Sequence, residues 1–167
     1  MPVQEYLDTN DWEYTTGLLV DKNLNVPTIC TFRRELGRLG ASHIIESGDY
    51  EEIDKLAKKV AKELGSPEPI NVQFIRTEEG VKVLEINPRF SSTTVFRAML
   101  GVNEVHLMTQ HLLNGTEIEP KKPEKGFVGL RYYEERIFQA NKLIRKKSAK
   151  KPKTPKKKTP SESFELE

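Results

Sequence analysis

Four polar residues near the middle of the chain have the types and spacing for chemistry: Asn71, Gln73, Glu85 and Asn87. They sit in two apolar-alternating runs, "INVQFIRT" and "VKVLEINPRF", separated by "EEG". Two such runs around a glycine-containing turn predict a β-hairpin. A turn centred on Glu79 sets Gln73 opposite Glu85 and Asn71 opposite Asn87. Side chains alternate faces along a strand, so these four share one face. Val72, Phe74, Leu84 and Ile86 then share the other face, turned to a core. Directly opposed Cβ atoms lie about 5 Å apart, so one carboxylate and several amide oxygens converge. That oxygen-only set suits Mg²⁺, which binds oxygen at about 2.1 Å and leaves part of its shell to phosphates and water. Arg89, at the strand exit, suits a phosphate oxygen or a substrate carboxylate. The same pattern also fits the solvent-facing side of an ordinary sheet, and a slip of one residue would separate the four.

The elements that must position these residues can be read along the chain. "WEYTTGLLVD" and "VPTICTFRREL" flank the turn residues "KNLN" and predict a first hairpin, followed by a short strand in "ASHIIES". Asp49 stands as an N-cap, with Glu52 three residues on. Ile53, Leu56, Ala57, Val60, Ala61 and Leu64 follow at helical spacing, and Gly65 closes the helix. After the second hairpin, "STTVFRAMLG" and "NEVHLMTQHLLNG" predict two helices, each closed by a glycine. Phe96, Met99, Val105, Met108 and Leu112 read as their core stripes. One of Ser91 to Thr94 serves as an N-cap, and "GFVGLRYYEERIF" supplies a last strand. The order is β-β-β-α-β-β-α-α-β. It predicts an α+β fold, a mostly antiparallel sheet with helices packed on one face.

The chain has 167 residues, enough for one domain with a core. Ten of its 27 Lys and Arg residues fall between Lys142 and Lys158, and three of its 25 acids lie beyond. The first 141 residues therefore carry a charge of −5 and the remainder +7, so the overall +2 conceals an acidic domain with a basic appendage. Residues 142–167, with Pro152, Pro155 and Pro160 among lysines, are expected to form a disordered tail. No aromatic residue interleaves its lysines, so nucleic acid is a partner only through charge, if at all. The single cysteine, Cys30, reads as a buried thiol and fits a reducing, cytoplasmic setting. No apolar run is long enough to span a membrane. His43, His106 and His111 lack the spacing of a shared metal site and read as structural or exposed.

"INVQF" followed by "VLEINPRFSST" resembles the end of the ATP-grasp domain, closest to carbamoyl-phosphate synthase large-chain-like proteins. The resemblance implies Gln73, Glu85 and Asn87 as ligands of Mg²⁺ (or Mn²⁺), Asn71 as their neighbour and Arg89 as a contact of the transferring phosphate. "VQEYL" resembles the hinge strand of the same fold, which implies that Gln4, Glu5, Tyr6 and Leu7 meet the adenine. Glu13, in "WEYTT", is then the residue against the ribose hydroxyls. "FRRELGRLGAS" resembles the stretch near the acceptor substrate, with Arg34 as its functional member and Gly37 and Gly40 admitting a ligand close to the backbone.

The resemblance covers Val3 to about Arg131. It implies the C-terminal lobe of an ATP-grasp fold over residues 1–141, with ATP or ADP as ligand. The N-terminal lobe, or a complementary subunit, would supply the lysines that complete the site. The final Leu-Glu pair is what a cloning site often leaves. The function so implied is the ATP- and Mg-binding lobe of a carboxylate–amine ligase that works through an acyl phosphate, inactive alone. The alternative is a non-catalytic module that acts through a protein partner or through nucleic-acid binding by the basic tail.

Overall fold

The structure, a computed structural model, describes residues 3–7, 13–38, 40–135 and 137. It separates into two compact units, Met1–Tyr132 and Tyr133–Glu167. The second is nearly all outside the described residues, as are the expected tail and the expected boundary at residue 141.

Among its described residues the first unit holds nine elements in the order expected. They are β1 (Glu13–Leu19), β2 (Thr28–Leu36), β3 (Ser42–Ser47), α1 (Glu51–Leu64), β4 (Pro69–Thr77), β5 (Gly80–Asn87), α2 (Thr94–Met99), α3 (Glu104–Asn114) and β6 (Val128–Leu130). The strands form one six-stranded sheet in the order β5-β4-β1-β2-β3-β6, and every neighbouring pair is antiparallel. The segment of residues 3–7 forms no strand.

The sheet is covered on both faces, where the sequence suggested one. Tyr14, Leu18, Ile29, Ile70, Val72 and Phe74 pack against Ile53, Ala57 and Ala61 of α1. On the opposite face, Leu19 meets Met108 and Ile118, while Phe32 and Ile45 meet Phe96. The reason lies in β1 and β2. Residues 14–19 and 28–32 are buried without a break, as strands covered on both sides are. Burying a side chain such as Leu18 or Phe74 contributes about 1.5–3 kcal/mol. Gly17 lets the second layer come close. A Cβ there would lie 2.3 Å from Glu104 Oε1 and 2.5 Å from an Arg97 nitrogen.

Three local expectations are corrected. The cap of α1 is Tyr50 rather than Asp49, with no side-chain cap bond, and Asp49 pairs instead with Lys125. In α2 and α3 only Phe96 and Met108 of the expected stripe are buried. Met99, Val105 and Leu112 are exposed, because these short helices turn one narrow side to the sheet. Ile86, expected in the core, is exposed because β5 is the edge strand. Gly65 and Gly115 close α1 and α3 in the left-handed conformation as expected, while α2 is capped by Leu100, one residue before the expected Gly101.

Candidate functional site: the polar face of the second hairpin

The hairpin register brings the four polar residues together by a route the sequence did not show. The turn closes Thr77 on Gly80, so it is a two-residue turn of Glu78 and Glu79 rather than one centred on Glu79. In that register Gln73 would face Leu84, and Glu85 would join the side of Val72. A β-bulge between Gln73 and Phe74 inserts Leu84 as an unpaired residue. Beyond it, Gln73 pairs with Glu85, Val72 with Ile86 and Asn71 with Asn87. A bulge re-aims every later side chain of its strand. Here it turns Glu85 and Asn87 onto the face of Asn71 and Gln73, away from α1.

β1 and β2 extend this face. Glu13 is the direct cross-strand partner of Arg34, and Thr15 that of Gln73. Arg34 lies two residues before the end of β2 and is 6% exposed. One of its terminal nitrogens donates to Glu13 Oε2 at 2.7 Å and to Gln73 Oε1 at 2.6 Å. Asn71 is buried, and its amide nitrogen donates to Thr15 Oγ1 at 2.9 Å and to the Thr16 carbonyl at 3.1 Å. Its orientation is thereby fixed with the amide oxygen left as an acceptor.

Glu85 and Asn87 contrast with these tied residues. The Glu85 carboxylate is exposed and has no hydrogen-bonding or ionic partner among the described residues. The Asn87 amide nitrogen is buried without a partner. A buried donor left unsatisfied is uncommon and asks for a cause. The donor set, one free carboxylate and the amide oxygens of Asn71 and Asn87, fits a hard divalent cation. Gln73 fits less directly, since its oxygen already accepts from Arg34. No group of three or more His, Cys, Asp or Glu side chains forms a metal cluster among the described residues.

The remaining expected site residues stand apart. The exposed Arg89 guanidinium donates to the neighbouring Phe90 carbonyl at 3.0 Å, and no described contact joins it to Glu85 or Asn87. Gln4, Glu5 and Tyr6 are exposed, and Leu7 is half-buried. Their one described link to the sheet is the field of Glu5 at Lys82 in β5. It adds to the larger effect of the Glu79 carboxylate, which holds the Lys82 ammonium above its usual pKa.

Gly37 and Gly40 form a tight loop in which the Gly40 N–H donates to the Gly37 carbonyl at 2.9 Å. His111 is buried with both ring nitrogens engaged, and His106 is exposed, as expected of structural histidines. Burial pushes the Cys30 thiol up to about 12, which fits an inert core residue.

Two features escaped the sequence reading. The first is the ion pair of Arg97 and Glu104, 1% and 2% exposed, packed on Gly17 on the same face of the sheet as the site. Its only sequence signal is a lone Arg in α2 and a lone Glu in α3, two helical stretches with no other Asp, Glu, Lys or Arg. The second is a hydroxyl relay on the α1 side, in which Thr31 Oγ1 donates to Asp54 at 2.6 Å and bonds Thr16 Oγ1 at 2.8 Å.

Residues 1–135 match the family described as ATP-grasp in the biosynthetic pathway with Ter operon. Among solved structures, the chain is similar to a biotin carboxylase–beta-gamma-ATP complex from Campylobacter jejuni. The TM-score is 0.56 at 19% identity, over 64% of this chain and 26% of that one. It is also similar to the biotin carboxylase domain of 2-oxoglutarate carboxylase from Hydrogenobacter thermophilus, solved with MgADP, ADP and bicarbonate (TM-score 0.53, 20% identity, 67% of this chain and 26% of that one). A third is the ADP complex of an N5-carboxyaminoimidazole ribonucleotide synthetase (TM-score 0.54, 13% identity, 66% and 31%). The chain therefore spans between a quarter and a third of the length of these neighbours. At these identities the structural likeness shows a shared fold, and the family match covers most of the chain: it belongs to the ATP-grasp family.

Proposed function

We propose that this chain is the nucleotide- and Mg²⁺-binding lobe of an ATP-dependent carboxylate–amine ligase. The observation that carries the reading is the bulged register that places Glu85 and Asn87 beside Gln73 and Asn71. The full enzyme would transfer the terminal phosphoryl group of ATP to a carboxylate, and a nitrogen nucleophile would then displace phosphate from the acyl phosphate. In such transfers a protein contributes mainly positioning and charge neutralisation.

Glu85, Asn87 and Gln73 would hold Mg²⁺ (or Mn²⁺), with Asn71 as the fixed neighbour. When bound, the metal neutralises phosphate charge. Arg89 would turn from the Phe90 carbonyl to the transferring phosphate. Gln4 to Leu7 and Glu13 would seat the nucleoside, and Arg34 holds Glu13 and Gln73 in place while it faces the acceptor. A second lobe or subunit would complete the site, and the chain alone would bind nucleotide without turnover. Residues 1–141 form the lobe in this reading, with a separate tail in 142–167. A lone buried thiol suits the cytoplasm. No helix among the described residues is long and apolar enough to cross a membrane.

Equilibrium dialysis with Mn²⁺ and ADP tests the reading. The wild-type chain is expected to retain ADP in a metal-dependent way, and Glu85→Ala to abolish that retention. Equal retention by both proteins, or retention that chelator leaves unchanged, would overturn it.

A further inference from the structure

A buried ion pair stabilises little by itself, because desolvation of two charges offsets their attraction and well-packed apolar residues often do as well. Arg97 and Glu104 are nonetheless both buried and paired at 3.1 Å. They also leave Arg97 Nε, one terminal Arg97 nitrogen and Glu104 Oε1 without hydrogen-bond partners. A pair kept for stability alone would not retain three unsatisfied buried atoms. Its contacts suggest another use. The same Arg97 nitrogen that meets Glu104 donates to Ser91 Oγ at 3.1 Å. Ser91 Oγ accepts from the Thr93 N–H at 3.3 Å and bonds Thr93 Oγ1 at 2.7 Å. Thr94 Oγ1 donates to Glu104 Oε2 at 3.0 Å. Arg131 also holds the loop, donating to the Ser92 carbonyl at 2.6 Å.

We propose that Arg97 and Glu104 are positioning residues. They fix the loop from Pro88 to Thr93, and through it Arg89 and the end of β5 at Asn87, relative to the rest of the polar face of the hairpin. The reach is short, since Ser91 follows Arg89 by two residues and Asn87 by four. The base of the device is the site face itself. Gly17 is the cross-strand partner of Asn71, and its missing Cβ leaves the space that Glu104 Oε1 and Arg97 fill. The Arg97 guanidinium also lies over the Phe32 ring, 5.6 Å from its centroid, which fixes its plane. A guanidinium demands directed acceptors, so one arrangement of the Ser91 hydroxyl satisfies it. Apolar side chains would fill the same volume without selecting a loop conformation.

The proposal rests on the nucleotide reading of that face for its consequence, but not for its structural content. The test uses the full chain with the apolar replacement Arg97→Met/Glu104→Leu, the conservative Arg97→Lys, and Ser91→Ala, which removes the link to Arg97 together with the acceptor of the Thr93 N–H and is therefore read at Arg89 and Thr94 only. Amide hydrogen exchange is followed at Arg89, Thr93 and Thr94, whose N–H groups bond within the loop. Mn²⁺·ADP affinity is measured by water-proton relaxation. The double variant is expected to keep a wild-type denaturation midpoint while its loop amides exchange about tenfold faster, the loss of about one hydrogen bond's worth of order. Mn²⁺·ADP affinity should fall by a similar factor, with Arg97→Lys in between. Unchanged loop exchange in a folded double variant would overturn the proposal. If the double variant does not fold, Ser91→Ala decides in the same way, faster exchange supporting it and unchanged exchange overturning it. If the wild type binds no Mn²⁺·ADP, the nucleotide reading fails, and loop exchange alone still decides the positioning role.

Discussion

Arg34 and Arg97 serve the same face of one sheet, and each sits beside a glutamate. Arg34 is 6% exposed and its partner Glu13 28%, whereas Arg97 and Glu104 are 1% and 2%. Arg34 reaches from β2 across to β1 and β4, and its contacts are short and open to solvent at one end. Arg97 stands under α2 against Gly17, sealed on every side. A charge pair with a solvent-facing end can exchange a partner for a ligand at modest cost. A sealed pair cannot, because any loss leaves a charge without water or counterion. The first therefore suits a binding face and the second a fixed support beside it.

That difference predicts an order of effects. Arg97→Met alone strands the Glu104 carboxylate in the core and should cost about 3–5 kcal/mol in urea denaturation. Gly17→Ala should cost about 1–3 kcal/mol, since its Cβ would overlap Glu104 Oε1 and the pair has no room to retreat. Arg34→Met should cost only about 1 kcal/mol, because water reaches the Glu13 carboxylate it leaves behind. An Arg34 loss equal to the Arg97 loss would erase the distinction, and a neutral Gly17→Ala would show the sealed layer to be looser than described.

The order of elements was legible in the sequence because strand alternation, turn residues and closing glycines each act locally. The pairing of Gln73 with Glu85 was legible too, but through a turn one residue too long. The two-residue turn and the bulge at Leu84 cancel in the count, and no residue of "VKVLEIN" announces a bulge. Coverage of the sheet on two faces was hidden in β1, where the two adjacent threonines of "EYTTGLL" give no sign of burial, although Thr15 and Thr16 are both buried among hydrogen bonds. Arg97 and Glu104 were illegible for a different reason. Their meeting depends on how α2 and α3 settle on Gly17, a tertiary fact that no local pattern encodes. The core stripe failed for Met99 and Leu112 because helical spacing shows that a face is apolar, not that something covers it.

The most direct test of the central claim is an amide NMR titration of the chain with ADP, with and without Mg²⁺. The account predicts shifts confined to Gln73, Glu85, Asn87, Arg89, the Glu13 end of β1 and the segment Gln4 to Leu7, present only with Mg²⁺, at nucleotide concentrations up to millimolar. Shifts that ignore Mg²⁺, or that fall outside these residues at saturating nucleotide, would contradict it.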